Sequence, residues 1–247
     1  MSEARRTALI TGSGRNIGRA IALSLAADGL NVIINGSTRR ELCEPVAEEA
    51  RALGVDASVI MANVADKDDL ARMADSALEQ FGAVDVLVTN AAIRPKKPFL
   101  EISEADWDLV FDTNLKSMFR LSQAFLPGMI DKGWGRVIGF TGMNAIKGHD
   151  LRGHGSAVKH GVWGLVKSMA AEFGAQGVTV NAISPGPILG DRDTQEKTDQ
   201  IAGDLKYIPV GRLGAPDEVA AVASMLASER GGFVNGQMIQ VNGGAAM

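Results

Sequence analysis

An α/β fold, built as one doubly wound sheet flanked by helices, is what this sequence predicts, and three observations predict it. Seven short apolar runs alternate with longer stretches of helical period along the 247 residues. The runs are apolar throughout rather than at every second position, as strands of a parallel sheet buried on both faces are. The first run ends in a glycine-rich turn that leads straight into a helical pattern, the local order of a strand–turn–helix nucleotide loop. No linker, repeat or low-complexity tract divides the chain, so residues 1–247 read as a single domain.

Each element follows in order. TALIT (7–11) is the first strand, and TGSGRNIGRAIA (11–22) turns it into a helix over 16–29. NVIIN (31–35) and a helix over 39–53 come next, then ASVIM (57–61) with a helix over 66–81. VDVLVT (84–89) precedes a long helical stretch over 103–130, and RVIGFT (136–141) precedes another over 155–175. VTVNAI (178–183) is the sixth strand. The polar, weakly patterned stretch 186–212 after it reads as a flap over a site within the same domain. A helix over 216–228 and the strand QMIQV (237–241) close the chain.

Composition excludes several functions. The net charge of −4 gives no support to nucleic-acid binding, which needs clustered Lys and Arg. A single cysteine, Cys43, rules out an internal disulfide and fits a reducing compartment. No apolar run approaches the roughly 20 residues of a membrane helix, and the start MSEARRTALI lacks the apolar core of a secretory signal. The expectation is a cytoplasmic protein acting on a small molecule, with no membrane and no nucleic-acid partner.

The glycine-rich turn is the first candidate site. Gly12, Gly14 and Gly18, with Ser13, Arg15, Asn16 and Ile17 between them, bring backbone N–H groups towards a pyrophosphate at a helix N-terminus. The second strand ends in Asn35-Gly36-Ser37-Thr38-Arg39-Arg40, with no Asp or Glu to bind a ribose 2′-hydroxyl. Hydroxyls and arginines there, with Arg15 leaning from the loop, favour NADP(H) over NAD(H).

These residues resemble the short-chain dehydrogenase/reductase family, nearly end to end. The loop 11–18 is similar to the family's TGxxxGxG, with Asn16 at its middle glycine. Asn63-Val64 resembles the adenine-contacting pair, and Thr89-Asn90-Ala91-Ala92 the NNAG element with two changes. Asn114 matches the family's structural and catalytic asparagine, and Ser184-Pro185-Gly186-Pro187-Ile188 the PG element beside the nicotinamide. Val210-Gly211-Arg212 and the ending VNGG (241–244) also match, and the subgroup most resembled is that of the 3-oxoacyl carrier-protein reductases. The resemblance implies a Rossmann-type domain with seven parallel strands, cofactor contacts from Pro185, Gly186 and Ile188, a lysine at 159 that holds the nicotinamide ribose, and a homotetramer or homodimer.

At the catalytic positions the pattern departs. The family places a serine at the end of the fifth strand and a tyrosine four residues before the lysine. Here those positions hold Gly142 and Gly155, while Lys159 and Asn114 remain. The chain's only tyrosine is Tyr207, in the flap, and its only histidines, His149, His154 and His160, cluster beside the lysine. His154 is a candidate proton carrier because imidazole titrates near neutral pH, and Thr141 brings a hydroxyl just before Gly142. The catalytic candidates are therefore Lys159, Asn114, His154 and Thr141. A zinc site from His149, Asp150 and His154 matches no strong ligand spacing, so no metal is expected. Two glycines enlarge the pocket, which Met143, Asn144 and Tyr207 are expected to line. Arg94, with Lys96, Lys97 and Arg152 nearby, offers a grip for a carboxylate or phosphate.

Three functions compete. The first is an NADP(H)-dependent oxidoreductase of a small carbonyl/alcohol pair with a rebuilt proton pathway, through His154 or through a Lys159–Asn114 water chain. The second is a non-redox hydrolase, C–C lyase or isomerase that uses His154 as acid and base. The third is a catalytically silent nucleotide-binding subunit. The retained cofactor residues favour the first.

Overall fold

A computed structural model describes residues 5–190 and 205–247, the side chain of Asn144 excepted. Seven strands form one sheet in the order β3-β2-β1-β4-β5-β6-β7, every pair parallel. They are β1 (Thr7–Ile10), β2 (Asn31–Gly36), β3 (Ala57–Met61), β4 (Val86–Thr89), β5 (Gly135–Phe140), β6 (Val178–Pro185) and β7 (Met238–Val241). The central strands β1, β4 and β5 are buried at every position, which is why their sequences show no alternation.

Helices cover both faces. On one side α1 (Asn16–Ala27), α2 (Arg40–Ala52) and α7 (Pro216–Ala227) pack Ile21, Leu25, Val46 and Leu226 against Ile10, Ile34 and Val88. On the other, α3 (Lys67–Phe81), α5 (Ser117–Asp131) and α6 (Gly153–Phe173) pack Met73, Phe125, Met118 and Val166 against Leu9, Leu87 and Val137.

The expected helix 103–130 is not one uniform helix. A regular helix, α4 (Glu104–Phe111), runs into a π-helical turn over Asp112–Lys116 before α5 begins. Such turns add a residue to the local repeat and recur at functional sites, and this one carries Thr113 and Asn114. Ser103 caps α4 by accepting from the Asp106 amide, while the Asp106 carboxylate accepts from the Ser103 amide in return. The helix expected over 155–175 begins two residues earlier, at Gly153, so Gly155 lies inside its first turn. Of the stretch 186–212, residues 191–204 lie outside the described residues, so a flap is not established there.

Strand order reverses direction between β1 and β4, so the connections after these two strands diverge and leave a crevice at their carboxyl ends. In open α/β sheets ligands bind at that point.

Candidate active site

A cavity of about 1350 Å³ opens at this crevice, walled by the carboxyl ends of β1, β2, β4, β5 and β6 together with the start of α1 and residues of α4 and α6. Its deepest elements are fixed by side chains that the glycine loop itself does not supply. Asn35 accepts from the Gly12 amide at 3.2 Å and donates to the Ile60 carbonyl at 3.0 Å, tying the loop to β3. Asn90 donates to the carbonyls of Thr11 and Gly12, both at 3.0 Å, tying it to β4. Ser13 is fully buried, donates to the Ile10 carbonyl at 2.7 Å and accepts from the Asn35 amide at 3.0 Å. It holds the loop from behind and is not part of the cavity wall, a correction to its expected place among the cofactor-facing residues.

The loop is shaped for close approach. A Cβ on Gly18 would stand 2.3 Å from the Gly12 carbonyl oxygen, so no other residue fits that position without moving the loop. Asn16, at the family's middle glycine, has φ +49. Asparagine is among the few residues that tolerate this left-handed backbone. The N-cap position of α1, Arg15, has an extended backbone and makes no side-chain cap. The helix N-terminus therefore points its positive end at the cavity without a side-chain cap from Arg15. Gly12, Gly14, Arg15, Asn16, Ile17 and Gly18 all lie in the wall. This fits a dinucleotide's pyrophosphate.

Beyond the loop, Ser37 and Thr38 follow β2 in the wall with Arg39, which also pairs with Glu41 at 3.3 Å. Asn63 and Val64 follow β3, and Asn90 and Ala91 follow β4. Pro185, Gly186 and Ile188 stand on the far side, at the end of β6. The structure therefore brings together every expected cofactor residue except Ser13.

The reacting end is built on Lys159. The residue is buried and its Nζ donates to the Phe140 carbonyl at 2.7 Å, which fixes the amine at the end of β5 with its remaining protons available to the cavity. No carboxylate pairs with it among the described residues. Burial, and next the charge of Arg94, push its pKa down to about 7. Gly142 also lies in the wall, at φ +118 and ψ 170, a conformation essentially restricted to glycine. A side chain there has room, since its Cβ meets nothing nearer than the Pro185 carbonyl at 4.0 Å. The backbone, not the space, calls for glycine. Thr141 reaches the wall, but its hydroxyl donates to the Ile183 carbonyl at 3.3 Å.

His154 does not face the cavity. It is fully buried, and its Nδ1 accepts from the Gly155 amide at 3.0 Å. That bond holds the ring against the helix's own first turn, the residue is not part of the cavity wall, and Nε2 is buried without a partner. His149 is exposed and pairs with Asp150 at 2.9 Å, and His160 Nδ1 donates to the Ser156 carbonyl on its own helix at 2.9 Å. The three histidines are neighbours in sequence, and none of them lines the cavity. Asn114 sits behind the wall, donating to the carbonyls of Val110 at 2.8 Å and Ile93 at 3.2 Å, with its Oδ1 buried and unpartnered.

Of the expected pocket residues, Arg94 and Gly142 line the cavity. Met143 begins a short 3-10 turn over Met143–Ala145, and neither it nor Gly155 is part of the wall. Tyr207 is 67% exposed and stacked by Lys206, outside the cavity. The Asn144 side chain lies outside the described residues. Sequence reasoning missed Asp106, Leu109 and Thr113, which line the cavity from α4 and the π-turn. The only signal for them was the asparagine that follows Thr113.

Comparison with known proteins agrees with this arrangement. The family model described as enoyl-(acyl carrier protein) reductase matches residues 12–246. A 3-oxoacyl-(acyl-carrier-protein) reductase FabG of Staphylococcus aureus is 40% identical, over 98% of each chain. An acetoacetyl-CoA reductase of Cupriavidus necator is 37% identical, over 98% of this chain and 99% of its own. A crystal structure described provisionally as a gluconate dehydrogenase from Agrobacterium tumefaciens superposes with a TM-score of 0.89 at 34% identity, covering 97% of this chain and 95% of that one.

Proposed function

The chain belongs to the short-chain dehydrogenase/reductase family of oxidoreductases, and from that premise we propose that it is an NADP(H)-dependent oxidoreductase of a small carbonyl/alcohol pair in which Lys159, and no tyrosine, handles the proton. The single observation that carries the proposal is the Lys159 amine: buried, held by the Phe140 carbonyl, facing the cavity and titrating near pH 7.

The dinucleotide, when bound, gives or takes the hydride. The glycine loop and the N-terminus of α1 would hold its pyrophosphate, and Arg15, Ser37, Thr38 and Arg39 would meet a 2′-phosphate, with Glu41, the partner of Arg39, outside the cavity wall. Asn63 and Val64 would flank the adenine, and Pro185, Gly186 and Ile188 would bound the nicotinamide side. Lys159 as ammonium donates a proton to the oxygen that becomes an alcohol, and as amine removes it in the reverse direction. General acid help of this kind is worth roughly 10²–10⁴-fold. At positions 142 and 155, where the family's serine and tyrosine are expected, no hydroxyl exists, and the Thr141 hydroxyl is engaged by Ile183. A Lys159–Asn114 water chain for resupplying the proton belongs to the proposal, supported by the unpartnered Asn114 Oδ1.

A non-redox reaction driven by His154 finds no support in this geometry, because the ring is buried away from the cavity. A homo-oligomer, tetramer or dimer, belongs to the proposal, supported by the apolar side chains of Phe119 and Phe233 standing in solvent on a single chain. So does a cytoplasmic location; among the described residues no helix is long and apolar enough to cross a membrane.

The test follows absorbance of NADPH against a panel of small ketones, oxo acids and aldehydes, with NADPH affinity measured separately. The reading expects turnover that Lys159→Met lowers at least 100-fold. Tight NADPH binding with no turnover on any carbonyl supports the silent nucleotide-binding protein instead.

A further inference from the structure

One cation of the cavity wall stands away from the places the cofactor's phosphates would take. Its described wall carries the cations Arg15, Arg39, Arg94 and Lys159 and one carboxylate, Asp106. Arg15 and Arg39 lie at the glycine loop and after β2, where the dinucleotide phosphates go. Arg94 lies after β4, at the opposite end, beside the proton-handling lysine. Asp106 does not balance it. That carboxylate accepts from the Lys97 amine at 2.5 Å and from the Ser103 amide at 3.0 Å, and Lys97 first, then Ser103, hold it well below the usual carboxylate range. Arg94 has no ion pair among the described residues.

A second arginine stands directly behind it. Arg152, the N-cap residue of α6, donates from its guanidinium to the Arg94 carbonyl at 3.2 Å, and its own Nε is buried without a partner. Arg152 thus fixes the backbone that presents Arg94 instead of competing for a ligand. Burial first, then the charge of Arg94, push the Arg152 pKa down, and the same charge acts on Lys159. Asp150 acts on Arg152, but neither Arg94 nor Lys159, the two that line the cavity, has an acid paired with it among the described residues, so this end of the cavity lacks its anion.

Resting on the redox reading above, we propose that the substrate is a short oxo or hydroxy acid whose carboxylate docks on Arg94. The choice of carboxylate over phosphate follows from charge and shape. One guanidinium faces the cavity at this end, matched to a monoanion, and its planar fork suits a carboxylate held by two parallel hydrogen bonds. Arg94 is felt at the Lys159 amine, so anchor and proton handler share one compartment and the acid is short. The bound carboxylate also offsets the field that Arg94 exerts on Lys159. This favours the ammonium form, the one that donates, when the right substrate is in place.

The experiment is titration calorimetry on the full-length protein loaded with NADP⁺. 2-Oxobutanoate, 3-oxobutanoate and 3-oxohexanoate are each compared with their primary amides, in the wild type, Arg94→Ala and Arg94→Lys. The proposal expects at least one acid to bind 10-fold or more tighter than its amide. Arg94→Ala removes that preference and leaves NADP⁺ affinity within twofold, and Arg94→Lys recovers part of it. Equal binding of acid and amide in every pair, loss of acid and amide together in Arg94→Ala, or no binding of any acid overturns it. NADPH oxidation is read in parallel to separate this outcome from the fate of the redox reading. Acids that bind through Arg94 and never oxidise NADPH leave the carboxylate seat standing and remove the reductase. Amides turned over as fast as acids do the reverse.

Discussion

Lys159 gives the reasoning its most exposed test, because its unusual protonation is also a statement about stability. Its side chain is buried, makes one hydrogen bond to Phe140 and has no acid partner. Burial, then Arg94, lower its pKa from 10.5 to about 7. Between pH 7 and 10.5 the unfolded chain therefore carries a proton on this residue that the folded chain has released. Stability must rise with pH across that window, by up to about 1.4 kcal/mol per pH unit for one proton. Below pH 7 both states are protonated and the folded protein bears the whole cost of a buried charge; above 10.5 neither does. Lys159→Met keeps the chain length and removes the titration. Denaturant unfolding of both proteins without cofactor, at one protein concentration and at pH 7.5, 8.5 and 9.5, isolates the residue, since every other group titrates in both. The wild type is expected to gain about 2.5 kcal/mol on the variant between pH 7.5 and 9.5. Two stability curves that stay parallel within about 0.5 kcal/mol would show an ordinary folded pKa and remove the basis for Lys159 as proton carrier.

Other outcomes follow from the same geometry. Reduction needs the ammonium and oxidation the amine, so kcat/KM for reduction falls as pH rises through about 7 while kcat/KM for oxidation rises, read as paired pH–rate profiles. Gly142→Ser does not restore a family-type site; it forces a non-glycine residue to φ +118 and costs about 1–3 kcal/mol, visible as a Tm lowered by several degrees. Gly18→Ala drives a Cβ into the Gly12 carbonyl and should weaken NADPH binding at least 10-fold by fluorescence titration. His154→Ala should lower stability by about 1–3 kcal/mol yet leave kcat/KM within threefold, and a loss of 100-fold in activity would return the histidine to the mechanism.

The layered α/β architecture is legible in the linear chain, since seven apolar runs spaced by helical segments leave one simple arrangement. So is the glycine-rich loop, whose glycines and following helix are local in the chain, with Asn16 at a left-handed position that asparagine tolerates. Which way the side chains around Lys159 face is set by packing between elements distant in the chain. His154 and Lys159 are five residues apart in one helix, and periodicity cannot say which meets a crevice formed by distant strands. The answer lay in the Gly155 amide bonded to one and the Phe140 carbonyl bonded to the other. Ser13 and Tyr207 failed as expectations for the same reason, the first turned inward to Ile10 and Asn35, the second out to solvent. The π-turn that sets Thr113 in the wall leaves no periodic signature, because it shifts the helical repeat by a single residue. Burial and field, which move Lys159 to near neutrality, are sums over groups brought together from β4, β5 and α6, and a linear sequence does not contain them.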